Sequence, residues 1–135
     1  MVFVEVLSVA YDADTVVSLK QSKFGSEYSS YREIPYSEKS KNRDDLLRFY
    51  LNGFNARGFT AKINKTDIFD DCIIMGFTLK NASDVYKCLE IYWIRNHVIY
   101  SLGFFSSERT MLKAFEILSS LRIDGLLYKD WMSGC

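Results

Sequence analysis

Three apolar, aromatic-rich segments follow one another between Asp71 and Phe105, each ended by a turn signal, and they leave few architectures open. They are Asp71–Leu79, Val85–Ile94 and Val98–Phe105, joined through Lys80-Asn-Ala-Ser-Asp84 and Arg95-Asn-His97. Segments of this length with such short connections read as consecutive antiparallel strands. On the first, Ile73, Met75, Phe77 and Leu79 share one face. On the second, Leu89, Ile91 and Trp93 share one face and Tyr86, Cys88, Glu90, Tyr92 and Ile94 the other. Both faces are apolar or aromatic, the pattern of a sheet covered by helices on one side and partly exposed on the other.

The flanks extend this reading. Phe3 to Val9 alternates as a half-buried strand, Asp12-Ala-Asp14 turns, and Thr15–Lys20 returns as a second strand. Residues 21–42 are polar, rich in Ser and Tyr, and hold the only proline, Pro35. Loops of that length tend to be functional or disordered. Asn42 or Ser40 caps a helix whose buried stripe is Leu46, Leu47, Tyr50, Leu51 and Phe54, with Gly58 as its left-handed stop. A strand follows from Thr60 and turns over 67–71. Ser106 or Ser107 caps a closing helix with Met111, Leu112, Phe115, Leu118 and Leu121 inward, before a tail at 124–135. The expectation is a single α+β domain over 1–135: an antiparallel meander sheet packed by two main helices.

Composition excludes several classes. The chain has 135 residues, 48% apolar and 25% charged, which suits one globular core. Seventeen basic and 17 acidic side chains cancel, whereas phosphate contacts demand a basic excess. The densest basic stretch, Ser37–Arg43, runs into Asp44-Asp45 and reads as a solvated loop and helix start. No nucleic-acid partner is expected. No segment reaches the ~18 uncharged apolar residues of a membrane span. Met1–Ala10 alternates around Glu5 and lacks a basic leader, so it reads as a strand rather than an export signal; location stays open between cytoplasm and periplasm. Among Cys72, Cys88 and Cys135, a hairpin centred near Ala82 sets Cys72 opposite Tyr92 and Cys88 opposite Gly76, too far apart to bridge. The framework is expected to be reduced, or at least independent of disulfides.

No catalytic constellation emerges. His97, the only histidine, falls at a hairpin tip with nothing to orient it as a base. The pairs Asp12/Asp14, Asp44/Asp45 and Asp70/Asp71 flank turns or helix starts, where Asp serves local hydrogen bonds. The glycines are scattered singly, without a phosphate loop. Neither enzyme activity, nor a metal, nor a cofactor is expected. The surface remains. Phe24, Tyr28, Tyr31 and Tyr36 on the long loop, Tyr92 and Tyr100 on the sheet, and Trp131 in the tail are the candidate protein-binding side chains.

From Val16 to Ile123 the order of elements resembles the PsbP-like α+β fold shared by the PsbP and DcrB families. The residues that carry the resemblance are Asp44–Leu51, the meander through Tyr100–Phe105, and the phrase Phe115-Glu-Ile-Leu-Ser-Ser-Leu-Arg-Ile123. The start departs from the pattern, lacking the proline-and-aromatic opening phrase. The resemblance implies a non-enzymatic, bacterial protein-binding domain: an immunity protein or secretion chaperone holding a toxin or effector. No site residue transfers by motif. Two alternatives stand beside it. One is a small apolar-ligand carrier with a closed pocket lined by residues such as Trp93 and Phe104; the other is a homodimer joined through the exposed sheet face. Whether the 21–42 loop and the tail cover the second sheet face, or a partner does, is the question the sequence poses.

Overall fold

The structure, a computed structural model, describes residues 3–12, 15–107, 122–123 and 126–127. In chain order the elements are β1 (Phe3–Asp12), β2 (Thr15–Ser22), a 3-10 turn (Tyr31–Glu33), α1 (Tyr36–Ala56), β3 (Thr60–Ile68), β4 (Ile73–Lys80), β5 (Val85–Arg95) and β6 (Val98–Ser107). A short antiparallel pair follows, β7 (Arg122–Ile123) and β8 (Leu126–Leu127). Strands β1 to β6 form one antiparallel sheet in the order β1-β2-β6-β5-β4-β3. This is the expected α+β domain, with one helix among the described residues. The closing helix expected after Ser106 lies largely outside them; β6 itself runs to Ser107, and Arg122 belongs to β7.

Each connection has a local cause. The β5–β6 turn places Asn96 at φ 50° and His97 at φ 65°, the two positive angles that a tight two-residue hairpin requires. The β4–β5 turn is a four-residue loop in which the Asn81 side chain accepts from the backbone of Ser83 and Asp84. An even loop centres the hairpin between two residues, so Ile73 faces Tyr92 and Phe77 faces Cys88. The register expected from a centre at Ala82 is thus corrected by one position. Gly58 ends α1 at φ 86°, and the Phe59 amide returns to the Phe54 carbonyl at 3.0 Å.

The helix begins earlier than the sequence indicates. Tyr36 opens it directly after Pro35, so the expected 21–42 loop shrinks to the stretch between Ser22 and Tyr36. That stretch is pinned. The Ser26 amide donates to the His97 carbonyl at 2.8 Å, and the Arg32 guanidinium holds Asp71 through two hydrogen bonds of 2.9 and 3.0 Å. Lys39, expected in solvent, is buried; its ammonium donates to the Asp70 carbonyl at 2.9 Å and sits 4.8 Å over the Tyr31 ring.

Two apolar clusters occupy the two sheet faces. On the first, Leu46, Tyr50 and Phe54 of α1, with Tyr31 and Ile34 of the loop, pack on Ile73, Met75, Phe77, Leu79, Cys88 and Tyr92. On the second, Val17, Leu19, Leu89, Ile91, Trp93, Leu102 and Phe104 form a separate buried group. The long loop therefore joins α1 on the first face rather than covering the second. Cys72 is disulfide-bonded and Cys88 is a free buried thiol. The expectation of reduced cysteines is thereby corrected at Cys72; the pairing that spacing had excluded, Cys72 with Cys88, does not occur.

Candidate functional site

Among the described residues, helix α1 packs over β4 and β5 and reaches the β1–β2–β6 side of the same face only at its edge, through Phe49 on Phe3 and Tyr50 on Lys20 and Ser101. The reason is chemical. On that face β2 presents Val16, Ser18 and Lys20, opposite Phe105, Gly103 and Ser101 of β6, a row mostly too polar or too small to hold a helix by apolar burial. The result is an open cleft between α1 and the sheet. It comprises cavities of about 360 and 470 Å³ that share Lys20, Arg57 and Glu90. One end is walled by Phe54, Phe59 and Phe105, the other by Phe3, Phe49 and Tyr50. Val16 and Phe49 keep 36% and 37% of their surface exposed, so apolar area remains open to solvent here.

Glu90 is the centre of the cleft floor. It is 4% exposed within the apolar and aromatic run Cys88–Ile94 of β5. Its carboxylate meets the Lys20 ammonium at 3.4 Å and accepts from Ser101 Oγ at 3.1 Å. Cys88 Sγ lies 3.7 Å from Oε1, the oxygen that Lys20 also meets, as a weak donor. Because the Ser101 proton is committed to the carboxylate, the 2.6 Å contact between Tyr50 Oη and Ser101 Oγ must be donated by Tyr50. Room for the carboxylate is made by Gly103 directly opposite. A buried charge persists only when paired and hydrogen-bonded, and each of these contacts answers that need.

The neighbouring ionisable groups are held neutral. Burial, then the negative charge of Glu90, pushes the Cys88 thiol well above its ordinary value of 9.0. The same two causes raise the Tyr50 hydroxyl well above 10.0. A thiol kept protonated is a poor nucleophile, and Ser101 donates to a carboxylate that is itself tied to Lys20. The arrangement is a closed chain of donors and acceptors, suited to fixing a cleft floor.

The candidate side chains named from sequence are dispersed rather than gathered. Phe24 and Tyr36 are 69% and 72% exposed. Tyr28 is half-buried, and the hydrogen bond its hydroxyl donates to Glu38 at 2.6 Å pushes it up to about 12. Tyr31 and Tyr92 are buried and meet edge to face at 6.0 Å, so neither offers a ring to a partner. Burial raises both hydroxyls. Tyr100 stacks on Trp93, on the face opposite Tyr92, so the two sheet candidates do not share a face. Trp131 lies outside the described residues. Lys20, Arg57 and Glu90 escaped sequence reasoning. The available signal was a lone acid within an aromatic strand, opposite a glycine in the next.

Among the described residues no cluster of His, Cys, Asp and Glu is suited to a metal ion, and no helix is long and apolar enough to cross a membrane. Asp70 and Asp71 face Arg32, Asp67 faces Lys65, and Asp44 and Asp45 face Arg43 and Arg48. The sequence matches no protein-family model and no curated protein sequence.

Proposed function

We propose that this chain is a non-catalytic binding domain that receives a protein partner in the cleft beside α1. The observation that carries the reading is the cleft that α1 leaves open on the helix-side face among the described residues, where exposed Val16 and Phe49 flank a floor fixed by the Glu90 network. Apolar area rimmed by charge is the usual make-up of an interaction site. The neutral Cys88 and Tyr50, and a Ser101 that donates to Glu90, favour binding over turnover.

The geometry lends less support to an enclosed ligand carrier. Such a carrier buries most of its ligand, and the pocket expected for it was to be lined by Trp93 and Phe104. Trp93 is 1% exposed and stacked on Tyr100; Phe104 borders the cleft, but the described cavities lie on the helix side and are open. A toxin or effector as the partner, with this chain as immunity protein or secretion chaperone, rests on the PsbP-like resemblance.

A paired pull-down tests the reading. Wild-type protein and Val16→Arg serve as baits in a lysate of the source cells, with equal thermal melting confirmed first. A partner held by the wild type and lost by the variant supports the cleft. Equal retention by both, or by neither, removes it.

A further inference from the structure

We infer that the partner enters this cleft with a carboxylate set beside a large apolar side chain, the carboxylate meeting Arg57. The inference rests on the cleft being the binding site and adds the chemistry of its occupant.

Among the described residues, four charged side chains line the cleft: Glu5, Lys20, Arg57 and Glu90. Lys20 and Glu90 satisfy one another. Glu5 is exposed on the edge strand β1, accepts from Ser18 Oγ at 3.2 Å, and sits cross-strand from Lys20. Arg57 differs. Its Nε points at the Gly53 carbonyl at 3.4 Å and its guanidinium lies 5.3 Å over the Phe54 ring, with no carboxylate partner among the described residues. Ring and carbonyl restrict the guanidinium while leaving its terminal nitrogens for a ligand. That is the preorganised fork that recognises a carboxylate with two parallel hydrogen bonds.

The wall beside Arg57 supplies the second half of the recognition. Phe54, Phe59, Phe105 and Val16 line the same cavity, and a slot of about 360 Å³ is large enough for one or two apolar side chains. The second cavity prolongs the cleft past Phe49 and Phe3. An open cleft extended in this way suits a chain segment better than a compact solute. An acidic-apolar segment matches both the half-buried Phe59 and Phe105 rings and the unmatched cation, whereas a basic segment would meet Arg57 unfavourably.

The test is a heteronuclear NMR titration of the full chain with two blocked octapeptides, Gly-Ser-Asp-Leu-Phe-Asp-Ser-Gly and the same peptide with Asn at both Asp positions. The acidic peptide is expected to shift the amides of Lys20, Arg57, Gly58 and Gly103. It is expected to bind about three- to fivefold more tightly than the Asn peptide, the scale of one exposed charge pair. Arg57→Gln, which leaves the fold intact at an exposed helix end, should abolish that difference; Arg57→Glu should reverse it against a peptide with Lys at both positions. Equal affinities, shifts confined to other surfaces, or discrimination that survives Arg57→Gln would overturn the inference. So would binding of dodecanoate that depends on Arg57 and exceeds that of the peptide, or self-association that occupies the cleft. Absence of peptide binding overturns the occupant's chemistry alone; loss of the cleft itself is read from the Val16→Arg pull-down.

Discussion

Gly103 and Glu90 face one another across the β5–β6 ladder so closely that a Cβ on residue 103 would lie 2.8 Å from Glu90 Oε1 and 3.0 Å from Oε2. The missing side chain is the space in which the carboxylate sits. Ordinarily a terminal carboxylate would swing aside, but this one is held by Lys20 and Ser101 and is 4% exposed. Sequence, packing and the cleft floor meet in this pair.

Gly103→Ala is therefore expected to destabilise the fold by roughly 1–3 kcal/mol, the range for overpacking a filled interior. Glu90 must then break the Ser101 or the Lys20 contact. Urea unfolding of the variant checks the value. In the Glu90→Gln background the added cost should shrink, since neighbouring changes that share a partner are not additive. A full, undiminished cost there would show that the carboxylate is not what Gly103 accommodates.

Much of the sheet was legible because alternation in 71–105 is strong and its turns carry Asn and Asp. The β4–β5 register was not, since it depends on Asn81 closing an even loop by its side chain. The helix start was missed for a different reason. Residues 37–43 are nearly all polar, and nothing local announces that Lys39 is buried by a carbonyl and a ring supplied by Asp70 and Tyr31. The cleft depended on tertiary proximity. Lys20 and Glu90 are 70 positions apart, and Arg57 reads as an ordinary residue at a helix end until the fold sets it on the wall of the cleft.

The Tyr31 hydroxyl is fully buried and has no hydrogen-bond partner among the described residues. Tyr31→Phe keeps the edge-to-face contact with Tyr92 and the ring beneath Lys39 while removing an unsatisfied polar atom. The variant should gain about 0.5–2 kcal/mol, because an unpaired buried hydroxyl costs that order. Calorimetry on the two proteins decides it: a lower melting temperature for the variant would show that the hydroxyl has a partner.

Alkaline pH should weaken the fold. Burial and Glu90 raise Cys88 well above 9.0 and Tyr50 well above 10.0, so the folded chain holds these protons more tightly than the unfolded chain does. Their contribution is complete below about pH 9, falls as pH passes the ordinary values, and is exhausted once the folded groups ionise. Urea midpoints should be lower at about pH 10.5 than at about pH 7.5, with part of the fall removed by Cys88→Val. Identical midpoints at the two pH values would show that folding does not hold these two protons more tightly.

Hydroxyl-radical footprinting of the complex with a captured partner tests most directly whether docking occurs in the cleft beside α1. Phe49 and Val16, 37% and 36% exposed in the free chain, are predicted to lose reactivity, while Phe24 and Tyr36, at 69% and 72%, keep theirs. Protection of Phe24 and Tyr36 with Phe49 and Val16 unchanged would place the partner on the loop and contradict the cleft.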